Sequence, residues 1–202
     1  MAILLLYVDD MIITGDDQAT IASLQHHLQQ QFEMKDLGPL RYFLALENAR
    51  SPRGILVSQQ KYTSEILVEA ALSDSRSVDT PFEQNLHLSA SDGTLLPDAS
   101  RYRRIVRMLV YLTITRPDIA YAVSIVSQYV EAPRSSHYVV VLQILCYLRG
   151  TAKRSLFLPS TSTLVLCAYS DADYGGCPDT RRSTTGYCLF LGDYLIFWKS
   201  KK

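Results

Sequence analysis

The sequence has no Cys-x-x-Cys pair, no Asn-x-Ser/Thr acceptor, no basic leader and no apolar run long enough to cross a bilayer. Its four cysteines, Cys146, Cys167, Cys177 and Cys188, lack the spacing of a zinc knuckle. They read as small buried hydrophobes in a reduced protein. The first apolar stretch, residues 2–8, stops at Asp9-Asp10 and is too short for a signal sequence. These absences give the expectation of an intracellular chain, cytoplasmic or nuclear, without a membrane partner. There is no internal repeat and no low-complexity tract, which excludes a solenoid. Net charge is missing too. The 20 basic and 20 acidic side chains cancel, which excludes a uniformly basic nucleic-acid binder or an acidic solvating protein.

What is there suits a folded chain. A length of 202 residues with 48% hydrophobic and 20% charged side chains is enough for one large domain or two small ones. The neutral total is a sum of unlike parts. Residues 1–100 carry 6 basic and 14 acidic side chains, a net of −8. Residues 101–160 carry 9 basic and 2 acidic ones, a net of +7, and residues 161–202 are near neutral at +1. An acidic front and a basic middle suit metal chemistry beside a polyanion; two solvated faces of opposite sign would produce the same counts.

Residues 3–8 and 11–14 are β-prone runs that predict a hairpin with Asp9-Asp10 at its tip. Asp16 or Asp17 then caps a helix with Ile21, Leu24, Leu28 and Phe32 along one face. Residues 41–47 and 54–58 predict a second hairpin around Ser51-Pro52-Arg53-Gly54, followed by a helix over 60–72. Residues 73–100, rich in Ser, Asp, Thr and Pro, read as a long loop or linker. Three helices are predicted next, over 102–113, 117–129 and 136–149. Pro117 sits in a first turn, and Gly150 is expected to close the last helix. Strands are predicted over 156–158, 164–170, 185–191 and 194–198.

Two acidic motifs could serve chemistry. Tyr7-Val8-Asp9-Asp10 holds neighbouring carboxylates at a fixed place, as metal-assisted phosphoryl or nucleotidyl transfer requires, although an ordinary polar turn is also rich in Asp. Asp171 and Asp173 follow an apolar strand, where a carboxylate leaving a sheet often meets a metal and where turns are equally common. Arg181-Arg182-Ser183-Thr184-Thr185 suits phosphate contacts or a solvated loop. Arg101, Arg103, Arg104 and Arg107 fall within two helical turns and could grip a nucleic-acid backbone or line a solvated face.

In order along the chain these segments resemble the Pol polyprotein of copia-type LTR retrotransposons of plants. The residues that carry the likeness are Leu4 to Gly15 with Tyr7-Val8-Asp9-Asp10, Phe32 to Leu40 with Tyr42-Phe43-Leu44, and Tyr111 to Val123 with Thr115-Arg116-Pro117-Asp118. Tyr147-Leu148-Arg149-Gly150-Thr151, Tyr169 to Tyr174, Arg181 to Gly186 and Trp198 to Lys202 continue it to the end. The resemblance implies an α+β fold: a truncated reverse-transcriptase palm over 1–62, a helical thumb and connection over 63–155, and the opening of a ribonuclease H-like mixed sheet over 156–202. It implies that Asp9 and Asp10 are two of three polymerase metal ligands for Mg2+, with Tyr7 beside the primer end. Asp171 would be the first ribonuclease H metal ligand. Arg101, Arg103, Arg104, Arg107, Arg116, Arg181 and Arg182 would contact an RNA–DNA or DNA duplex.

The resemblance also implies gaps. Upstream palm strands with the third carboxylate, and later ribonuclease H carboxylates, are expected to lie outside these 202 residues. Each two-metal site would then be incomplete and the isolated chain inactive. The remaining alternatives are a non-enzymatic nucleic-acid-binding module, or part of an intact polyprotein whose other segments would be its partners. Ala45 stands where the family has Gly, Arg107-Met108-Leu109 departs from its Gly-Lys-Leu, and the region 191–198 is compressed. Open sheet edges and bare apolar faces are expected, with low solubility.

Overall fold

The apolar runs on either side of Val8-Asp9 pair with each other. In a computed structural model, which describes residues 1–71 and 76–202, they form β1 (Ala2–Tyr7) and β2 (Asp10–Gly15). The register runs antiparallel from Ala2↔Gly15 to Tyr7↔Asp10, leaving a two-residue turn. Helix α1 (Gln18–Gln31) follows, and of the two candidate caps it uses Asp17, whose carboxylate accepts from the Thr20 amide at 3.0 Å. The expected face of α1 is only half-buried at Ile21, Leu24 and Leu28, and Phe32 is exposed.

The chain divides into two compact units, Met1–Asn48 and Ala49–Lys202. In the first, a strand expected over 41–47 is instead cut in two. Strand β3 (Tyr42–Phe43) turns at Leu44-Ala45 and pairs with the start of β4 (Leu46–Ser51), in the register Tyr42↔Glu47 and Phe43↔Leu46. Both turn residues have positive φ, +48° and +58°, the sign pattern of a type I′ hairpin turn. That pattern favours Gly or Asn.

In the second unit, β5 (Gly54–Ser58) pairs antiparallel with β6 (Leu156–Pro159). Gly54 is required there: a Cβ would lie 2.3 Å from the Leu158 carbonyl oxygen. The core is helical. It is built by α2 (Gln60–Glu69), α3 (Ser100–Leu112), a 3-10 turn (Pro117–Ile119), α4 (Ala120–Ser127) and α5 (Ser135–Thr151). Helix α3 buries Tyr102, Ile105, Val106, Leu109 and Leu112, the i, i+3, i+4, i+7 stripe of an amphipathic helix. The Tyr102 hydroxyl donates to the Val126 carbonyl at 2.7 Å and ties α3 to α4.

Several expectations are corrected. The helix predicted over 117–129 begins as the 3-10 turn and ends at Ser127, whose hydroxyl donates back to the Val123 carbonyl. Gly150 is not the cap of α5. The helix runs through it to Thr151, and a Cβ at Gly150 would lie 3.0 Å from Ser77 Cβ, so the position needs closeness rather than a left-handed turn. The residues expected to form a linker are, over 76–99, a strap packed on the helices. Leu88 is buried, Phe82, Leu86 and Leu96 pack against the core, and Leu88 O accepts from Tyr129. The expected helix end at Leu72 and the linker start at 73–75 lie outside the described residues.

His137, wholly buried, links strap and helices. Its Nδ1 accepts from the Arg134 amide, its Nε2 donates to the Ser89 carbonyl, and its ring stacks on Tyr129 with centroids 3.8 Å apart. The final sheet is a meander of β7 (Leu166–Ala172), β8 (Thr185–Leu191) and β9 (Tyr194–Lys201), in that order. Strand β9 docks on α4. Trp198 Nε1 donates to the Thr113 carbonyl at 2.9 Å, and Ser200 meets Ser124. All seven residues of β7 are exposed. The cysteines are all free, yet only Cys177 is buried and Cys167 is exposed, so the reading of four buried hydrophobes holds for one of them. The Cys177 Sγ accepts from Lys202 Nζ and from the Thr180 amide. Burial raises its pKa, and these hydrogen bonds outweigh that and bring it down to about 7.

Ala45 carries a left-handed conformation that an L side chain disfavours by about 1–2 kcal/mol. Ala45→Gly is therefore expected to stabilise the first unit by about 1 kcal/mol, offset in part by unfolded-state entropy. Native-state hydrogen exchange of the β3–β4 amides checks it.

Candidate metal and nucleic-acid site

The turn between β1 and β2 carries the candidate metal ligands. Tyr7↔Asp10 is the last pair, so Val8 and Asp9 form the loop. Only a positive φ at the first loop position closes so short a turn in the II′ manner, and Val8 supplies it at +50°. A β-branched residue there is strained, the kind of conformation that clusters at functional turns. Asp9 and Asp10 are both exposed, as is Tyr7. No hydrogen bond or ion pair among the described residues holds either carboxylate.

Two adjacent carboxylates are oxygen donors of the right hardness for Mg2+. They are not a complete donor set: among the described residues no three His, Cys, Asp or Glu side chains come together to hold a metal.

In the second unit, Asp171 lies near the end of exposed β7, opposite Gly186. Its neighbour in the motif has a different task. Asp173 accepts from the Gly176 amide at 3.0 Å and the Thr184 amide at 3.1 Å, closing the β7–β8 loop, and these amides hold its carboxyl below the ordinary value. Asp179 pins the same loop to the strap through Ser89 Oγ and the Ala90 amide. Arg181 and Arg182 are exposed on this loop.

The arginines divide. Arg101 Nη2 donates to the Ala70 carbonyl at the end of α2, and Arg103 donates to the carbonyls of Val130 and Glu131. Arg104 pairs with Glu69 at 2.9 Å. Arg107 is exposed, with no such partner among the described residues. Arg116 corrects the sequence reading outright: its side chain is 3% exposed and cannot reach a duplex. Its Nε and Nη2 grip both oxygens of Asp118 at 2.9 and 2.8 Å. Nη1 donates to the Thr151 carbonyl at 3.0 Å and Nη2 to the Thr151 hydroxyl at 2.7 Å. The Tyr147 hydroxyl donates to Asp118 at 2.7 Å and receives Arg154 at 2.6 Å. Burial raises the Asp118 pKa, but the Arg116 and Tyr147 hydrogen bonds and the guanidinium charge outweigh it and leave the carboxyl below its ordinary value. Sequence reasoning quoted both halves of this network, around Arg116 and around Tyr147, without joining them.

The sequence is similar to known proteins. The family described as reverse transcriptase (RNA-dependent DNA polymerase) matches residues 1–84. An uncharacterised mitochondrial protein of Arabidopsis thaliana is 42% identical over 199 residues, covering 98% of this chain and 82% of that protein. The retrovirus-related Pol polyprotein from transposon RE2 of Arabidopsis thaliana is 42% identical over 199 residues, covering 98% of this chain and 14% of its own length. That from transposon TNT 1-94 of Nicotiana tabacum is 38% identical over 208 residues, covering 98% of this chain and 16% of its own length. No solved structure matches. Residues 1–84 thus match the reverse-transcriptase family, and nearly the whole chain is similar to retrovirus-related transposon Pol polyproteins, of whose length it spans about one-seventh. Among the described residues no helix is long and apolar enough to cross a membrane.

Arg116→Ala removes the donor from a buried carboxylate and from the end of α5, and is expected to cost about 3–5 kcal/mol of unfolding free energy. Arg116→Lys loses the fork and falls between. Denaturant titration checks both, and a loss under about 1 kcal/mol would refute the network's role. Because the folded pKa of Asp118 is lowered, its contribution is present above the ordinary carboxylate value near 4 and fades as pH falls through the folded value. Acid unfolding is therefore expected to be shallower in Asp118→Asn than in the parent chain.

Proposed function

We propose that the chain is a fragment of a transposon Pol polyprotein carrying part of an RNA-directed DNA polymerase site. In this reading residues 1–62 are palm, 63–155 thumb and connection, and 156–202 the opening of a ribonuclease H-like domain. The observation that carries it is the strained Tyr7-Val8-Asp9-Asp10 turn, which presents two exposed carboxylates, without a partner among the described residues, at the end of an apolar hairpin. Asp9 and Asp10 would share Mg2+ with a third carboxylate from another Pol segment, and the metal would supply charge stabilisation at the phosphate. Tyr7 would flank the primer end, and Asp171 would serve the ribonuclease H site. Duplex contact falls to Arg107, Arg181 and Arg182, mostly on the sequence-independent backbone. A stand-alone nucleic-acid-binding module is the weaker reading, because Arg101, Arg103 and Arg116 are engaged within the protein.

Primer extension and RNA-strand cleavage with Mg2+ test this. The purified chain alone is expected to do neither. Within a longer Pol polyprotein, Asp9→Asn or Asp10→Asn is expected to lower extension by about 10²-fold or more, and Asp171→Asn to remove cleavage while extension persists. Extension unaffected by Asp9→Asn and Asp10→Asn would overturn the assignment.

A further inference from the structure

We propose that Tyr174 stacks on an unpaired base of a single-stranded nucleic acid. Such stacking builds on the phosphate contacts assigned above to Arg181 and Arg182, and adds the state of the strand they meet. Tyr174 is 99% exposed, more than any other large apolar side chain among the described residues. Other exposed tyrosines lean on a ring: Tyr169 meets Phe190 edge-on at 5.9 Å, and Tyr121 meets Phe82 at 5.6 Å. Tyr174 has no ring or hydrogen-bond partner among the described residues, so both of its π faces are free.

The ring is bare although its loop is tied down. Besides the two amides on Asp173, the Gly175 amide donates to the Ser183 hydroxyl at 3.1 Å. The Cys177 amide donates to the Arg182 carbonyl at 3.2 Å, and the Arg181 amide to the Cys177 carbonyl at 2.9 Å. Asp179 anchors the whole loop to the strap. A loop fixed in this way loses little further freedom when a ligand arrives. The same ties bring positive charge beside the ring. Arg181 takes a φ of +54°, which disfavours an L residue, and packs against Gly175, the neighbour of Tyr174. A Cβ at Gly175 would lie 3.3 Å from the Arg181 carbonyl oxygen and 3.9 Å from Arg181 Nη2. The guanidinium thus reaches the residue next to Tyr174.

Charge and shape name the occupant. Arg181 and Arg182 are exposed, and no carboxylate among the described residues pairs with either. The loop's own carboxylates, Asp173 and Asp179, are turned to its amides and to the strap. An open aromatic face beside free guanidiniums matches a nucleotide, with the ring under the base and the cations at the phosphates. An apolar protein partner would need more hydrocarbon than the flanking Asp173, Gly175 and Gly176 provide. A base inside a duplex already has neighbours on both faces, so only an unpaired base can take the ring.

Fluorescence anisotropy tests this with the full 202-residue chain, a labelled oligo(dT) of about 12 nucleotides and a blunt duplex of the same length. Tyr174→Ala is expected to weaken single-strand binding by about tenfold with its salt dependence unmoved, and to leave duplex binding unchanged. Tyr174→Phe keeps the ring and is expected to bind as the parent does. Arg181→Ala and Arg182→Ala should weaken both forms and flatten the single-strand salt slope by about 0.7 each. Stacking is overturned if the parent chain does not bind oligo(dT), or if Tyr174→Ala binds it like the parent. It is equally overturned if Tyr174→Ala loses single strand and duplex alike, or if Tyr174→Phe loses as much as Tyr174→Ala. Arginine variants that bind both forms like the parent would overturn the phosphate contacts instead, while the polymerase site is judged separately by Asp9 and Asp10 in the extension assay.

Discussion

A guanidinium shut away from water holds the helical unit in its arrangement. Arg116 sits where α3 ends and the Pro117 turn begins, and it must lodge five N–H donors without solvent. Asp118 takes two of them, and the last turn of α5 takes two more through the Thr151 carbonyl and hydroxyl. One side chain therefore neutralises a carboxylate, satisfies an orphan carbonyl at a helix C-terminus and fixes how that helix meets the turn before α4. Tyr147 and Arg154 complete the shell around Asp118. Removing Arg116 would leave the carboxylate of Asp118 without its main donor and the Thr151 carbonyl without its partner, which ties the Arg-Pro-Asp string to the fold.

The same logic reassigns much of the basic middle segment. The count of nine cations between residues 101 and 160 reads as a surface for a polyanion. Geometry makes several of them carbonyl caps: Arg101 for the end of α2, Arg103 for the chain after α4, Arg134 for the strap at Gly93. A linear sequence reports charge but not the direction a long side chain takes, so surface and interior arginines look alike until packing separates them. Only Arg116 of the nine is buried, whereas Arg101 and Arg103 remain exposed while one end of each guanidinium caps a carbonyl.

Local chemistry was the legible part. The β1–β2 hairpin, a helix cap at Asp16 or Asp17, a helix at α3 and the last three strands all follow from periodicity and turn residues. The Asp9-Asp10 tip was visible for the same reason, since its position depends only on neighbours in the chain. What could not be read was long-range. The strap over 76–99 has loop composition, yet it is held by Leu88, Tyr129 and His137 across some forty or more positions of sequence. Gly150 signalled a helix end because glycine usually does, whereas here it makes room for Ser77. The cut at Leu44-Ala45 was hidden because alanine gives no sign of a positive φ.

The docking of the final sheet has a practical corollary. The chain's single tryptophan, Trp198, is on β9, and its indole N–H is committed to the Thr113 carbonyl at the end of α3. Its emission wavelength is thus an intrinsic optical gauge of whether β7–β9 sits on the helices. Detachment of the sheet would register as a red shift even while the helical core stayed intact, separating by colour two events that far-ultraviolet dichroism would blend.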